Sequence, residues 1–206
     1  MIYELRTYTL KPGTVAEFES RFAKRKPYRD KYSRLGAFWH TEFGALNQVI
    51  HAWPYEDLNQ RAEAREAANK DPDLQRTPGG REFVVGQEAE IVIPAPFMRP
   101  LGEQQLGDIY EMRIYTYQTG AMPEVLKRWA EAIPYREKYS PLAACWYTEF
   151  GGLNKFYHVW PYKSMADRDR IRAAALKDSH WPPPTREFLV RQENKLLIPA
   201  AFSPMR

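Results

Sequence analysis

The stretch WHTEFGALNQVIHAWPY, residues 39–55, occurs a second time as WYTEFGGLNKFYHVWPY at residues 146–162. Each copy holds two aromatic-rich runs joined by a short segment that contains glycine, a pattern typical of a β-hairpin. The polar residues Thr-Glu-x-Gly, Asn, His and Trp-Pro-Tyr stand at the same places in both copies. The repeated hairpin is therefore the reference point for comparing the two halves of the chain.

The correspondence between the halves extends in both directions from the hairpin. Upstream, Tyr-Glu-x-Arg-x-Tyr at 3–8 is repeated 107 positions later at 110–115. Downstream, after a deletion of two residues, Arg-Glu-Phe at 81–83 is repeated at 186–188. A self-similarity of this length indicates a duplicated domain.

Each copy is predicted to be one domain, at residues 1–97 and 109–206, with a linker at 98–108. Alternating residues indicate a first strand, helical spacing follows, and the hairpin, a second helix and a last strand complete the order β-α-β-β-α-β. This is the ferredoxin-like plan, an α+β fold with both helices on one face of a four-stranded antiparallel sheet. Because the other face needs a cover, we expect the two sheets to pack face to face as an intrachain pseudo-dimeric α/β barrel.

Single residues predict two details of the helices. Pro27 and Pro134 fall inside the first helical pattern of each copy, so we expect a kink or a split helix there. Asp57 and Ser164 precede the second helix, and both residue types cap helix N-termini.

Composition and charge restrict the class of protein. Of the 206 residues, 44% are hydrophobic and 14% aromatic, enough for a core, and no apolar run reaches the ~18–20 residues of a membrane span. The 30 basic and 26 acidic residues are interspersed, whereas nucleic-acid-binding proteins concentrate basic residues in a stripe. The single Cys145 excludes an intrachain disulfide and fits a reducing compartment. Without a signal-like N-terminus, we expect a cytoplasmic protein with no membrane or nucleic-acid partner.

The ordered set Tyr-Glu-x-Arg-x-Tyr, Trp-x-Thr-Glu-x-Gly-x-x-Asn and His-x-Trp-x-Tyr, present in both copies, resembles the NIPSNAP domain over almost the whole chain. The resemblance implies a ferredoxin-like domain of the dimeric α/β-barrel group and implies no established activity. Related barrel families include cofactor-independent monooxygenases and haem-binding enzymes, but their activities transfer by fold analogy only.

The first strand and the hairpin supply the candidate site residues. On the first strand we expect Tyr3, Leu5 and Thr7 to face the helices, which places the alternate polar residues between the two sheets. His51 and His158 are candidates for proton transfer near neutral pH, with a structural hydrogen bond as the alternative. The candidate binding residues are Glu4, Arg6, Tyr8, Glu42 and Trp53 in the first copy and Glu111, Arg113, Tyr115, Glu149 and Trp160 in the second.

Two functions fit these residues. In the first, each half binds a small organic metabolite, with arginine holding an anionic group, histidine moving a proton and tryptophan forming a wall; whether the protein is an enzyme stays open. In the second, the motif only holds the barrel together in a non-catalytic interaction protein. A weaker third alternative is the stacking of single-stranded RNA on an exposed sheet. In each case a homodimer is expected.

No metal or other cofactor is expected. His40, Glu42 and His51 could form a set of two histidines and one carboxylate in the first copy, but Tyr147 stands where the second copy would need His40. Haem would need one of the hairpin histidines as its axial ligand, and no other residue pattern supports haem.

Overall fold

The computed structural model describes all residues, 1–206. The first domain contains β1 (Ile2–Leu10), α1 (Val15–Arg29), β2 (Ala37–Phe43), β3 (Gln48–Tyr55), α2 (Leu58–Lys70), α3 (Pro72–Arg76) and β4 (Val84–Pro94). The second contains β5 (Ile109–Tyr117), α4 (Met122–Arg136), β6 (Ala144–Phe150), β7 (Lys155–Tyr162), α5 (Met165–Ala175) and β8 (Leu189–Pro199). The predicted β-α-β-β-α-β order is present twice, and the short helix α3 has no counterpart in the second domain.

The eight strands form one closed barrel in the order β1-β3-β2-β8-β5-β7-β6-β4. Each domain supplies four neighbouring strands, and the pairs β2–β8 and β4–β6 join the domains. Every neighbouring pair is antiparallel, so equivalent strands of the two domains point the same way along the barrel. The predicted pseudo-dimeric α/β barrel of two ferredoxin-like domains is confirmed.

Large aromatic side chains from both sheets fill the barrel interior. Tyr3 packs on Trp146 with ring centroids 5.8 Å apart, and Trp39 packs on Tyr110 at 5.9 Å. All four side chains are almost completely buried. Side chains from the segment 98–108 pack against the same cluster. The two sheets therefore bury one another, as predicted.

The prediction for the faces of the first strand is wrong. Tyr3 and Leu5 lie in the barrel interior, whereas Glu4 faces the helices and contacts Arg61 of α2. Arg6 follows on the same side of the strand as Glu4 and pairs with it. The physical reason is that the closed interior excludes water and suits apolar side chains, while the arginines of α2 give the polar face its partners.

The helix ends differ from the prediction in one respect and agree in another. α1 and α4 run unbroken through Pro27 and Pro134 and end two residues later, so neither helix splits. A proline has no backbone N–H, so each helix lacks one hydrogen bond at this point. Because the proline lies in the last turn, only two helical residues follow it. Asp57 and Ser164 each accept a hydrogen bond from the backbone N–H three residues on, at 2.9 and 3.1 Å, as predicted.

Charged residues near the hairpin end of the barrel differ between the domains in a complementary way. Glu90 accepts hydrogen bonds from Lys155 Nζ at 2.7 Å and from the Tyr157 hydroxyl of the other domain. Lys195, at the position equivalent to Glu90, donates to Gln48 Oε1 at 2.8 Å. If two copies of the second domain paired with one another, Lys195 of one copy would lie against Lys155 of the other. The halves have diverged into partners that suit one another.

Both faces of each sheet are covered, one by the barrel interior and the other by helices. The RNA alternative required an exposed sheet face, so it has no surface on which bases could stack. None of the helices is both long and apolar enough to cross a membrane.

Candidate functional site

Each domain contains a cavity between the outer face of its sheet and its helices. The first cavity has a volume of about 740 Å³ and the second about 310 Å³. The equivalent pairs that line both include Arg6/Arg113, Tyr8/Tyr115, Arg29/Arg136, His51/His158, Trp53/Trp160, Arg65/Arg172 and Arg81/Arg186. Because these pairs keep their places, the cavities are two copies of one site.

Glu4 anchors a charge network in the first domain. Its Oε1 accepts hydrogen bonds from Arg6 Nη1 at 2.8 Å and from Arg61 Nη2 at 2.6 Å. Arg65 Nη1 lies 3.6 Å from the other oxygen. Burial alone would raise the pKa of this carboxyl, but the hydrogen bond from Arg61 and the arginine charges outweigh it and lower the pKa. Glu4 is therefore ionised at neutral pH.

Glu111 repeats the network with one more partner. Arg168 Nη2 and Arg113 Nη1 lie 2.6 and 3.2 Å from its Oε1, and Arg172 Nη1 lies 3.2 Å from Oε2. Asn194 adds a hydrogen bond to Oε1 at 2.9 Å. Burial opposes ionisation here too, yet the arginines lower the pKa of Glu111. The second domain thus holds its carboxylate more completely than the first.

A tryptophan holds each histidine of the site in one tautomer. Trp53 Nε1 donates to His51 Nδ1 at 2.6 Å, and Trp160 Nε1 donates to His158 Nδ1 at 2.7 Å. An indole nitrogen can only donate, so Nδ1 is the acceptor and the neutral imidazole carries its proton on Nε2. Burial, followed by the nearby arginine charges, lowers the pKa of both histidines well below the usual value. Both rings are neutral at pH 7.

This tautomer defines what the imidazoles can do. The lone pair of Nδ1 is engaged by the indole, and Nε2 already carries a hydrogen. Neither nitrogen is free to accept a proton, so the geometry favours a neutral N–H donor over the general base considered from the sequence.

Two N–H groups of the cavity lack a hydrogen-bond partner in both domains, in addition to the indole N–H of Trp39 and Trp146 in the barrel interior. One is the buried Nε2 of the histidine; the other is the buried Nη1 of Arg29 or Arg136. The Nη2 atoms of these arginines donate to the hydroxyls of Tyr55 and Tyr162, at 2.9 and 3.1 Å. Buried polar groups are almost always paired, and an unpaired one costs about 1–3 kcal/mol. The unpaired histidine and arginine donors occur in both domains, so they are a property of the site.

Most of the predicted site residues meet in these cavities. Glu4, Arg6, Tyr8, His51 and Trp53 line the first, while Arg113, Tyr115, His158 and Trp160 line the second and Glu111 binds its arginines. Glu42 and Glu149 do not join them, because both are exposed beside the hairpin turns, outside the cavities.

Three pairs of arginines in the site were missed from the sequence. They are Arg29/Arg136, Arg61/Arg168 and Arg65/Arg172, all from helices. Each pair stands at the same 107-residue offset as the hairpin, so the repeat itself held the signal. The candidate residues came from the first strand and the hairpin, so these helical arginines were not among them.

The two histidines considered as metal ligands in the first copy have other partners. His40 Nδ1 lies 2.7 Å from Glu19 Oε1, and His51 Nδ1 is bound to an indole. Nowhere in the chain do three His, Cys, Asp or Glu side chains come together in a way that could hold a metal ion.

Comparisons with known proteins agree with the geometry of two similar domains. The NIPSNAP family model matches residues 3–99 and 110–204. NipSnap homolog 3A of Homo sapiens is 31% identical over 220 residues, covering 100% of this chain and 86% of that protein. The NipSnap homolog of Dictyostelium discoideum is 31% identical over 208 residues, covering 96% of this chain and 87% of its own length.

A solved structure resembles the whole chain. A Lactobacillus acidophilus protein described as a candidate monooxygenase has a TM-score of 0.68 and 12% identity, covering 97% of this chain and 94% of its own. At that identity the likeness concerns the fold alone. With the family model matching both halves, the chain belongs to the NIPSNAP family and carries two tandem NIPSNAP domains.

Proposed function

We propose that each domain binds a small organic molecule through a negatively charged oxygen group, in the cavity between its sheet and its helices. The observation that carries this proposal is the pair of buried donors, histidine Nε2 and arginine Nη1, without acceptors in both domains. A carboxylate offers two oxygens with four lone pairs and can accept from both donors at once.

The charge of the lining favours an anion. Arg25, Arg29 and Arg81 line the first cavity without a carboxylate at salt-bridge distance. The one acidic residue in the lining, Glu4, is already shared among other arginines. A guanidinium binds carboxylate or phosphate oxygens through paired N–H groups. An entering anion therefore meets donors that no protein acid occupies.

The volume of the cavities and their aromatic side chains favour a ligand with a small organic skeleton attached to the anionic group. Volumes of about 740 and 310 Å³ fall in the range of roughly 300–1,000 Å³ typical of small-molecule sites. Trp53 and Tyr8 in the first cavity, and their equivalents in the second, offer apolar ring surface beside the donors. The ligand thus combines an acidic group with a short carbon skeleton.

The residues divide the task of recognition. The arginine supplies charge, while the neutral imidazole supplies a directed N–H that adds no further positive charge to a cluster of arginines. The tryptophan is a positioning residue, because its indole keeps the imidazole proton on Nε2.

The competing function is a non-catalytic interaction protein in which the repeated motif is structural. The ion pairs of Glu4 and Glu111 favour it, because both carboxylates are paired with arginines of their own domain. Under this alternative nothing occupies the cavities. The cytoplasmic location and the homodimer expected from the sequence stay predictions under either function.

Thermal unfolding with a panel of small carboxylates tests the binding proposal. A ligand at 100 times its Kd adds about 2.7 kcal/mol to the free energy of unfolding, which raises Tm by several degrees in a chain of this size. The double variant Arg29→Gln, Arg136→Gln is expected to lose this rise at the same concentrations, because the charged donor is removed from both cavities.

The matched control is the double variant Arg21→Gln, Arg128→Gln. These arginines lie on the same two helices but outside the cavities, where they pair with Glu17 and Glu124. The control is expected to keep the full rise in Tm. If no carboxylate raises the Tm of the wild type, or if the Arg29/Arg136 variant responds equally, the interaction protein becomes the better account.

A further inference from the structure

The two cavities differ in the charge of their outer walls. Arg25 and Lys26 of α1 line the first cavity. At the equivalent positions of α4 stand Ala132 and Ile133, and both are buried in apolar surroundings. Two cations of the first domain are therefore replaced by small or apolar side chains in the second.

Arg25 is held in place without a carboxylate. Its Nη1 donates to the backbone carbonyls of Leu74 and Thr77. A Cβ on Gly79 would stand 2.9 Å from Arg25 Cδ, so glycine leaves room for this side chain. Burial, followed by the charge of Arg81, lowers the pKa of Arg25. The first cavity thus contains two neighbouring cations with no anion between them.

The cavities also differ in shape at this point. Past Arg25 and Arg81, the first cavity adjoins a pocket of about 350 Å³ beside α3. In the second domain the shorter loop carries Trp181, which meets Trp129 edge to face at 5.4 Å and lies 5.8 Å from the guanidinium carbon of Arg136. Residues 181–183 and 185 of this loop line the second cavity, whose volume is less than half that of the first.

We infer that the first cavity takes a small organic dianion and the second a smaller monoanion. The inference rests on the proposed function: one anionic group meets His51 and Arg29, and the second group of the dianion meets Arg25 and Arg81. Arg25 and Arg29 are one helical turn apart, so their Cβ atoms lie about 5–6 Å apart on one face. Dicarboxylates and carboxylate phosphates with a short skeleton share this chemistry.

The electrostatics of the outer wall explain why a second anion is favoured there. Arg25 is half-buried and Arg81 beside it is exposed. Their charges repel one another, and an anion between them removes the repulsion while gaining charge-assisted hydrogen bonds. In the second domain Arg186 stands at the position of Arg81, but Ala132 replaces Arg25. The same group would therefore meet one cation in place of two, which offsets less of its loss of water.

Glutarate and valerate are suitable probes, because they share a five-carbon skeleton and differ by one carboxylate. In ¹⁵N-labelled protein, the indole N–H of Trp53 reports on the first cavity and that of Trp181 on the second. We expect glutarate to bind at the Trp53 site at least about tenfold more tightly than valerate, the ratio that one added ion pair of moderate strength produces. The Trp181 signal is expected to show no preference for glutarate.

Arg25→Ala gives the first domain the residue that the second domain already has at this position. In this variant the affinities of the two probes at Trp53 are expected to come within about threefold of one another. Arg81→Ala is a second variant that reduces the same charge without touching the α3 loop carbonyls, and it is expected to weaken the preference as well. Arg21→Ala, on the same helix but outside the cavity, is expected to keep the full preference.

The outcomes separate this inference from the proposed function. Equal affinity of glutarate and valerate at Trp53, or a preference that survives both Arg25→Ala and Arg81→Ala, overturns the dianion assignment while binding of monoanions stands. If neither probe shifts an indole signal in either domain, the proposed function fails and this inference fails with it.

Discussion

The cavities of the two domains share their donors and differ in their walls. In both, a histidine held by a tryptophan and an arginine held by a tyrosine present unpaired N–H groups. Around these donors the first domain places Arg25 and an opening beside α3, whereas the second places Ala132 and the loop of Trp181. The two copies have kept the unpaired histidine and arginine donors. They differ in the side chains that set the size and the charge of each cavity.

The largest expected effect concerns the buried carboxylates of Glu4 and Glu111, which differ in the number of their hydrogen-bond partners. Replacing Glu4 or Glu111 by glutamine leaves arginines without their shared anion, and breaking a buried ion pair costs about 3–5 kcal/mol. Glu111→Gln is expected to cost about 1 kcal/mol more than Glu4→Gln, because Glu111 also binds Asn194. Urea unfolding measures both values, and an equal or reversed order would contradict the stronger network around Glu111.

A change of intermediate size opens the second cavity. Trp181→Ala removes the ring that covers Arg136 and is expected to lower the free energy of unfolding by about 2–3 kcal/mol, at or below the low end for a core tryptophan, because Trp181 is only partly buried. Ligands that bind only the first cavity of the wild type should then also shift the indole signal of Trp160. If Trp160 still ignores them, the loop is not what separates the two cavities.

A third expected effect is a pH dependence, which both domains share. His51 and His158 stay neutral when folded, because burial lowers their pKa, but they take up a proton when unfolded below pH about 6.5. Stability is therefore full above pH 6.5 and falls as the pH drops, by about 1 kcal/mol per pH unit for each histidine.

The double variant His51→Gln, His158→Gln checks this slope. Urea unfolding between pH 7 and 5 is expected to give a flatter profile for the variant than for the wild type, whatever the variant loses at pH 7. Glu19 raises the pKa of His40, which adds stability at low pH, but His40 is present in both proteins and cancels in the difference. Parallel profiles would contradict neutral, buried histidines.

The fold could be predicted because its signals are local and repeated. Period-two alternation, helical spacing, the glycine-containing hairpin and the caps Asp57 and Ser164 each indicate an element, and the structure contains them. The duplication then supplies the cover that each sheet needs. Of the kink or split expected at Pro27 and Pro134, the split does not occur, since each proline lies two residues before the helix end.

The faces of the first strand could not be predicted from the strand alone. Tyr3 and Leu5 alternate with Glu4 and Arg6, and either set can face a cavity. The choice is made by Arg61 and its neighbours on α2, whose charges reach Glu4 from a distant part of the chain. Strand periodicity fixes which residues share a face and leaves open which face meets the helices.

The hairpin residues of the candidate site could be predicted from the sequence, but the residues that set the size of each cavity could not. His51 and Trp53 are two apart on one strand, so their proximity follows from the period of a strand. The size of each cavity depends instead on the loops at 71–83 and 176–188, which have no periodicity and differ between the copies. Arg29 was missed because α1 carries several other basic residues, and the sequence does not show which of them reaches the cavity.

The most direct test of the central claim observes the two imidazoles themselves. Long-range ¹H–¹⁵N spectra of the histidine side chains at pH 7, assigned with His51→Gln and His158→Gln, report the tautomer and the charge of each ring. The account predicts that both are neutral with the proton on Nε2, and that both Nε2–H signals shift when valerate is added. A charged ring, a proton on Nδ1, or Nε2–H signals that saturating valerate leaves unchanged would contradict it.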